Sequence, residues 1–145
     1  MFTLGGAAIA WQSKRQATVA ISSTEAEYLA LSAAVRQAIY FRNLLSSLGF
    51  PPSGPTIIHV DNRSAIILAD HPAHHERTKH IAVHAHFSRE KVASGEVSLK
   101  WTPTNSLTAD VLTKGLQSTK HYQFVTAMGL FDVQLEGVCW RLVLG

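Results

Sequence analysis

The stretch ISSTEAEYLAL, Ile21 to Leu31, is where a short β-prone run gives way to a helix. It opens with three consecutive hydroxyl residues, and the spacings Ser22 to Glu25 and Thr24 to Glu27 both fit a capping box, so a helix should begin here. An acid in the first turn of a helix is also stabilised by the helix dipole. Either glutamate can therefore be explained as a helix-start residue.

The helix predicted from this start runs from Thr24 to about Leu48. Apolar residues recur at helical spacing along it, and Gly49 and the proline-rich loop that follows are typical of a helix end. The apolar face is broad, which favours a helix packed against a sheet. Its main members are Leu31, Val35, Ala38, Leu45 and Leu48.

The residues before this helix predict a hairpin. Phe2 to Trp11 alternates weakly, Ala17 to Ile21 is a second short β-prone run, and the polar, basic segment 12–16 between them is expected to form the turn.

Thr56 to Val60 is a continuous apolar run, which is typical of a strand buried on both faces. It stops at Asp61, and a short helix is predicted over 64–69. Open α/β sheets place functional groups at the carboxyl ends of their strands, so Asp61 is a candidate site residue. It could equally be a turn residue or a helix cap.

The second half predicts one strand and two helices. Glu96 to Pro103 alternates, with Val97, Leu99 and Trp101 on the face expected to be buried. A helix from Thr104 to Gly115 would carry Asp110 in its early turns, and another helix is expected over 118–128. Residues 133–144 are β-prone.

The composition fits one intracellular domain. The chain has 145 residues, 46% of them hydrophobic, with a net charge of +3 and a single cysteine, Cys139. A chain of this length can bury a core, and one cysteine excludes an internal disulfide framework. Because the apolar N-terminus lacks a preceding basic region and no apolar run is long enough to span a membrane, we expect a soluble protein of the cytoplasm or nucleus.

A histidine-rich, basic segment covers residues 71–91. If it is helical, His80 and His84 share one face and could form a zinc pair, although no cysteine completes such a site. A polar helix with solvated histidines is the simpler interpretation. Arg77 and Lys79 could contact phosphates or belong to a solvated face.

Three acids stand at predicted junctions between elements: Glu27, Asp61 and Asp110. Carboxylate oxygens are the ligands that Mg²⁺ prefers, and a pair of such ions can activate water for phosphodiester hydrolysis. Acids far apart in the chain converge only if strand ends and helix starts meet at one end of a sheet. Spacing alone makes this a weak indication.

The combination of motifs is more specific. The segments SSTEAEYLAL, IIHVDNRSAI, HERTKHIAVHAHFSREKV and LTADVLTKGL, in this order, resemble the ribonuclease H domain of Ty1/copia-type LTR-retrotransposon polyproteins. The resemblance covers roughly residues 2–130, with 131–145 as a C-terminal tail. It implies an α/β, RNase H-like mixed sheet flanked by helices, and hydrolysis of RNA in RNA/DNA hybrids with two Mg²⁺ (or Mn²⁺) ions.

The resemblance also assigns roles to residues. Glu27, rather than Glu25, matches the glutamate at the family's helix start, Asp61 matches the acid at the end of its fourth strand, and Asp110 matches the acid of its last helix. In the family these acids are catalytic and hold the metals. Residues facing the hybrid are expected to include Asn62, Ser64, Arg77 and Lys79.

The chain departs from the family in ways that affect activity. It lacks the first strand, whose aspartate bridges both metals, so the fold is expected to be N-terminally truncated, with strands two and four missing their shared neighbour. Ala82 also replaces a usual acid. The apolar run 137–144 (GVCWRLVL) could fill the vacant central position, in the same molecule or by self-association, without restoring the ligand.

Three functions follow from the sequence. The first is a retrotransposon ribonuclease H with impaired activity. The second is an inactive or domesticated retroelement-derived module that binds nucleic acid or protein. The third is a zinc module based on His80 and His84.

Overall fold

The structure is a computed structural model. It describes the backbone of residues 1–14, 16, 23–70 and 79–131, and the side chains of these residues except 68, 70 and 79–85. The described residues form two compact units. The first comprises Met1–Lys14 and the described residues from Thr108 onward, and the second comprises the described residues between these two segments.

The first unit begins with a tight hairpin. Strand β1, Phe2–Leu4, pairs antiparallel with strand β2, Ala7–Ala10. Gly5 and Gly6, with φ of 60° and 83°, form the two-residue turn, because positive φ at both positions matches the twist of the flanking strands. The prediction of one strand over Phe2 to Trp11 was therefore wrong, since this segment contains both strands of a hairpin. The predicted turn at 12–16 stays a prediction, because residue 15 and the proposed strand at Ala17 to Ile21 lie outside the described residues.

The C-terminal end of a helix of the first unit contacts this hairpin. Helix α4, named by its order in the chain, spans Ser118–Ala127, as predicted, and Phe124 and Met128 are buried. The backbone N–H of Ala8 donates to the carbonyl of Met128 at 2.8 Å. Gly129 follows with φ of 76°, and a Cβ there would lie 2.8 Å from the Cα of Ala7.

The helix predicted over 104–115 is wrong. Two 3₁₀ turns, Thr104–Ser106 and Thr108–Leu112, replace it, with extended Leu107 between them. Pro103 precedes the first turn and provides no side-chain cap. The Thr104 hydroxyl, expected to cap a helix, donates instead to Asp61.

The second unit is organised around α1, Ser23–Ser47, which confirms the long predicted helix. Thr24 lies inside the first turn rather than at the cap. The helix contacts strand β3 (Thr56–Val60) and helices α2 (Arg63–Asp70) and α3 (Lys79–Ala93). It buries Tyr28, Leu31, Ser32, Val35 and Ala38. Leu48 lies beyond the helix end and is 62% exposed, so its assignment to the apolar face was wrong.

Two parallel strands form the sheet of the second unit. Strand β3, Thr56–Val60, pairs with β4, Val97–Trp101, in a register that places Val60 opposite Trp101. Val60 and Val97 are buried, but Ile57 is 56% exposed. The prediction that β3 is buried on both faces was wrong, because Ile57 and His59, which share one face of the strand, are both exposed.

Helices α2, Arg63–Asp70, and α3, Lys79–Ala93, lie between the two strands in the chain. Both were expected in outline, and α2 buries Ala65 and Ala69. None of the helices in the described ranges is long and apolar enough to cross a membrane.

The elements are compatible with the predicted α/β class. The described strands form two separate two-stranded sheets, one antiparallel and one parallel. The RNase H-like arrangement of all elements stays a prediction, and the proposed replacement strand at 137–144 lies outside the described residues.

Candidate active site at the carboxyl ends of β3 and β4

Asp61 is the first residue after β3, where the two parallel strands end side by side. The ladder continues past the strands, because the N–H of Thr102 donates to the carbonyl of Val60 at 2.9 Å. The strand ends are therefore fixed relative to each other, and Asp61 faces the segment that follows β4.

Asp61 is held at two points, by Thr104 of that segment and by Trp101, the last residue of β4. The Thr104 hydroxyl donates to Oδ2 of Asp61 at 2.9 Å, and the indole Nε1–H of Trp101 donates to its main-chain carbonyl at 3.2 Å. One bond orients the carboxylate and the other fixes the backbone that carries it. Oδ1 accepts no hydrogen bond from the part of the chain that the structure describes, which leaves it available to a ligand.

Asn62, not Asp61, caps α2. Its side-chain Oδ1 accepts from the N–H of Ala65 at 3.1 Å, which is the usual bond of a helix N-cap. The alternative interpretation of Asp61 as a helix cap is therefore wrong. Asn62 has a structural role whether or not it also faces a hybrid, and the neighbouring Ser64 is exposed.

Arg63, the first residue of α2, stacks on Trp101. Its guanidinium carbon lies 4.3 Å from the centroid of the indole ring, within cation–π range. Arg63 is exposed and Trp101 is 41% exposed, so the pair lies at the surface beside Asp61.

Glu27 lies in the same unit as Asp61, in the second turn of α1, and its side chain is exposed. Glu25 is half-buried in the first turn, where the helix dipole favours an acid. Tyr28 is buried directly after Glu27, and burial raises the pKa of Tyr28. Glu25 thus fits the helix-start role, and Glu27 is carried at the surface by a helix anchored through Tyr28.

Asp110 belongs to the other unit, in the 3₁₀ turn Thr108–Leu112. Its Oδ2 lies 2.8 Å from Nζ of Lys114, four residues on. The Asp110 side chain is only 14% exposed, while that of Lys114 is 49% exposed. The carboxylate is already paired with a cation.

The donor chemistry fits a hard divalent cation, since all three predicted ligands are carboxylates. Within the described residues, however, no three histidine, cysteine, aspartate or glutamate side chains are grouped so as to hold a metal ion. His80 and His84 lie four residues apart on α3, but their side chains are not among those described, and neither is Lys79. Arg77 lies outside the described residues.

Sequence reasoning missed three residues of this site. Arg63 lies two residues after Asp61 in HVDNRSA, and a positive charge so near a candidate acid was a usable signal. Trp101 was assigned to the buried face of a strand, and Thr104 to a helix cap. Their contacts with Asp61 depend on the parallel register of β3 and β4, which local patterns do not specify.

The chain is similar to segments of retrotransposon polyproteins. It is 38% identical over 130 residues, 90% of its length, to the retrovirus-related Pol polyprotein from transposon RE1 of Arabidopsis thaliana. It is 39% identical over 120 residues, 83% of its length, to that from transposon TNT 1-94 of Nicotiana tabacum. The RE2 polyprotein of Arabidopsis thaliana is 38% identical over 130 residues, again 90% of the chain. These similarities support a retroelement-derived domain.

The chain spans about 9% of the length of these curated relatives. No family model matches it. No solved structure matches it.

Proposed function

We propose that this chain is the ribonuclease H-type domain of a Ty1/copia-type retrotransposon polyprotein, which hydrolyses the RNA strand of RNA/DNA hybrids. The observation that carries the proposal is the similarity to Pol polyproteins over 90% of the chain. The position of Asp61 at the carboxyl end of a parallel strand pair supports it, because α/β sheets place functional groups there.

Glu27, Asp61 and Asp110 would be the catalytic residues and would hold Mg²⁺ or Mn²⁺. The ions would supply a nucleophilic water and stabilise the leaving oxygen of the phosphodiester. The chain's own contribution begins with Asp61: Thr104 engages Oδ2 and so sets the direction of Oδ1. Asn62, Ser64, Arg77 and Lys79 would face the hybrid.

The 145-residue chain by itself carries three of the four carboxylates that the resemblance implies. A two-metal site without its bridging ligand has less charge and a poorer geometry. This chain by itself should therefore cleave weakly.

The alternative is a non-catalytic module that binds nucleic acid or protein. The 2.8 Å ion pair between Asp110 and Lys114 favours it, because Lys114 neutralises an acid that a metal site needs. Salt-dependent binding of hybrid without metal-dependent cleavage is the result that this alternative predicts.

A substrate panel tests the reaction class. Labelled RNA in an RNA/DNA hybrid, in duplex RNA and as a single strand is incubated with the protein in Mg²⁺ and in Mn²⁺. The proposal predicts cleavage of the hybrid alone, lost in Glu27→Gln and retained in the matched control Glu25→Gln. Equal loss in both variants would assign the effect to the helix start rather than to Glu27.

A further inference from the structure

We infer that Arg63, stacked on Trp101, binds a phosphodiester group of a nucleic-acid strand beside Asp61. The inference rests on the proposed function and specifies a substrate contact for it. Arg63 was not among the residues expected to face the hybrid.

The geometry prepares the guanidinium for this role. Its carbon lies 4.3 Å from the indole centroid of Trp101, so the ring holds one face of the cation. No described residue accepts a hydrogen bond from Arg63 or forms an ion pair with it. A guanidinium held by stacking keeps its N–H groups free, and their planar fork matches two phosphate oxygens.

The position couples this contact to the candidate active site. The indole that supports Arg63 also donates its Nε1–H to the main-chain carbonyl of Asp61, at 3.2 Å. Arg63, Trp101 and Asp61 are thus linked at the carboxyl ends of β3 and β4. A strand whose phosphate binds Arg63 would therefore lie at the same strand ends as Asp61.

A purely structural role would be weak. An exposed cation–π pair contributes about 0.5–1 kcal/mol. Arg63 is also the first residue of α2, where the helix dipole disfavours a positive charge. The contact between α2 and β4 alone therefore does not explain an arginine at this position, whereas binding an anion accounts for both its charge and its exposure.

Fluorescence anisotropy with a labelled RNA/DNA hybrid, in EDTA and across a series of KCl concentrations, tests the inference without cleavage. Arg63→Gln should weaken binding about fivefold at 0.15 M salt and lower the slope of log Kd against log salt by about 0.9, the effect of one lost phosphate contact. Arg63→Lys should be intermediate, since it keeps the charge but loses the planar fork.

Trp101 and Lys100 provide the matched variants. Trp101→Leu removes the stacking platform and should weaken binding as Arg63→Gln does, while Trp101→Phe keeps an aromatic face and should bind nearly as wild type. Lys100→Gln removes the same charge from an exposed neighbour whose side chain points to the other face of β4, and should have the smaller effect. Circular dichroism verifies that each variant is folded.

The inference is overturned if wild type does not bind the hybrid, if Arg63→Gln binds as wild type at every salt concentration, or if Lys100→Gln weakens binding equally. Its failure is separable from that of the proposed function. Arg63-dependent binding without cleavage in Mg²⁺ or Mn²⁺ supports this inference and contradicts the nuclease. Hybrid cleavage that is unchanged in Arg63→Gln contradicts this inference and supports the nuclease.

Discussion

The hydroxyl of Thr104 donates a 2.9 Å hydrogen bond to Oδ2 of Asp61, although the two residues are 43 positions apart in the chain. The bond exists because β3 and β4 end side by side in parallel register, so the residues that leave them meet. It gives the candidate acid a fixed orientation before any ligand binds.

Thr104→Val should lower the free energy of unfolding by about 0.5–1.5 kcal/mol, the value of one lost hydrogen bond. It should also weaken hybrid cleavage, because the Asp61 carboxylate loses its orienting partner. Urea unfolding and initial cleavage rates measure the two effects.

Thr102→Val is the matched control for this prediction. The Thr102 hydroxyl lies 2.7 Å from Nδ1 of His59, away from the carboxylate. Thr102→Val should lower the free energy of unfolding by a similar amount and leave cleavage unchanged. Equal cleavage by wild type and Thr104→Val would show that the bond does not position Asp61.

Gly129→Ala should destabilise the first unit severely. Its φ of 76° costs an L-residue roughly 1–2 kcal/mol. The added Cβ would also lie 2.8 Å from backbone atoms of Gly6 and Ala7 and push the hairpin from α4.

Gly49→Ala is the control for the backbone strain alone. Gly49 has φ of 86°, but a Cβ there meets nothing within 4 Å. Thermal unfolding should show a clearly larger loss for Gly129→Ala. Equal losses would mean that the contact between the hairpin and α4 does not form.

Glu96 should give the stability an acid-sensitive component. The hydrogen bond from Lys91, at 2.9 Å, and then that from Ser94 lower the pKa of Glu96. Since the folded pKa is below the unfolded one, this stabilisation is present above about pH 4.5, the ordinary pKa of a glutamate. It is lost as the pH falls through the folded value.

Glu96→Gln should therefore be less stable than wild type at neutral pH, and the difference should shrink as the pH falls below about 4.5. Urea unfolding at a series of pH values measures this. A stability difference between wild type and Glu96→Gln that does not change with pH would show that Lys91 and Ser94 do not stabilise the Glu96 carboxylate.

Lys114→Gln should remove the cation that is paired with the Asp110 carboxylate. Ion pairs near the surface contribute about 0.2–1 kcal/mol, and Lys114 is 49% exposed although Asp110 is only 14% exposed, so the loss of stability should be small. If Asp110 holds a metal ion, Mn²⁺ should raise the Tm of Lys114→Gln more than that of wild type, and Asp110→Asn should abolish the rise. An undiminished rise in Asp110→Asn would remove Asp110 from the ligand set.

Local pattern was sufficient for several elements. The spacing of apolar residues predicted α1, and the run Thr56–Val60 and the alternation after Glu96 predicted β3 and β4. Gly49 and Gly129, both at positive φ, follow the ends of helices that were correctly predicted. In each case the signal and the structure that it specifies lie within a few residues.

The errors arose where distant partners decide the structure. The local sequence predicts Thr104 as a helix cap, but its hydroxyl donates to Asp61. Where the helix was predicted, the structure has 3₁₀ turns. Ile57 was predicted to be buried, but it shares with His59 a face of β3 that is exposed among the described residues. The link from Arg63 through Trp101 to Asp61 likewise needs the β3–β4 register, which no local pattern encodes.

The most direct measurement is cleavage of a labelled RNA/DNA hybrid in Mg²⁺ and in Mn²⁺ by wild type beside Asp61→Asn. The account predicts weak, metal-dependent cleavage by wild type that Asp61→Asn abolishes while remaining folded. No cleavage by folded wild type, or equal cleavage by both proteins, would contradict a ribonuclease H site centred on Asp61.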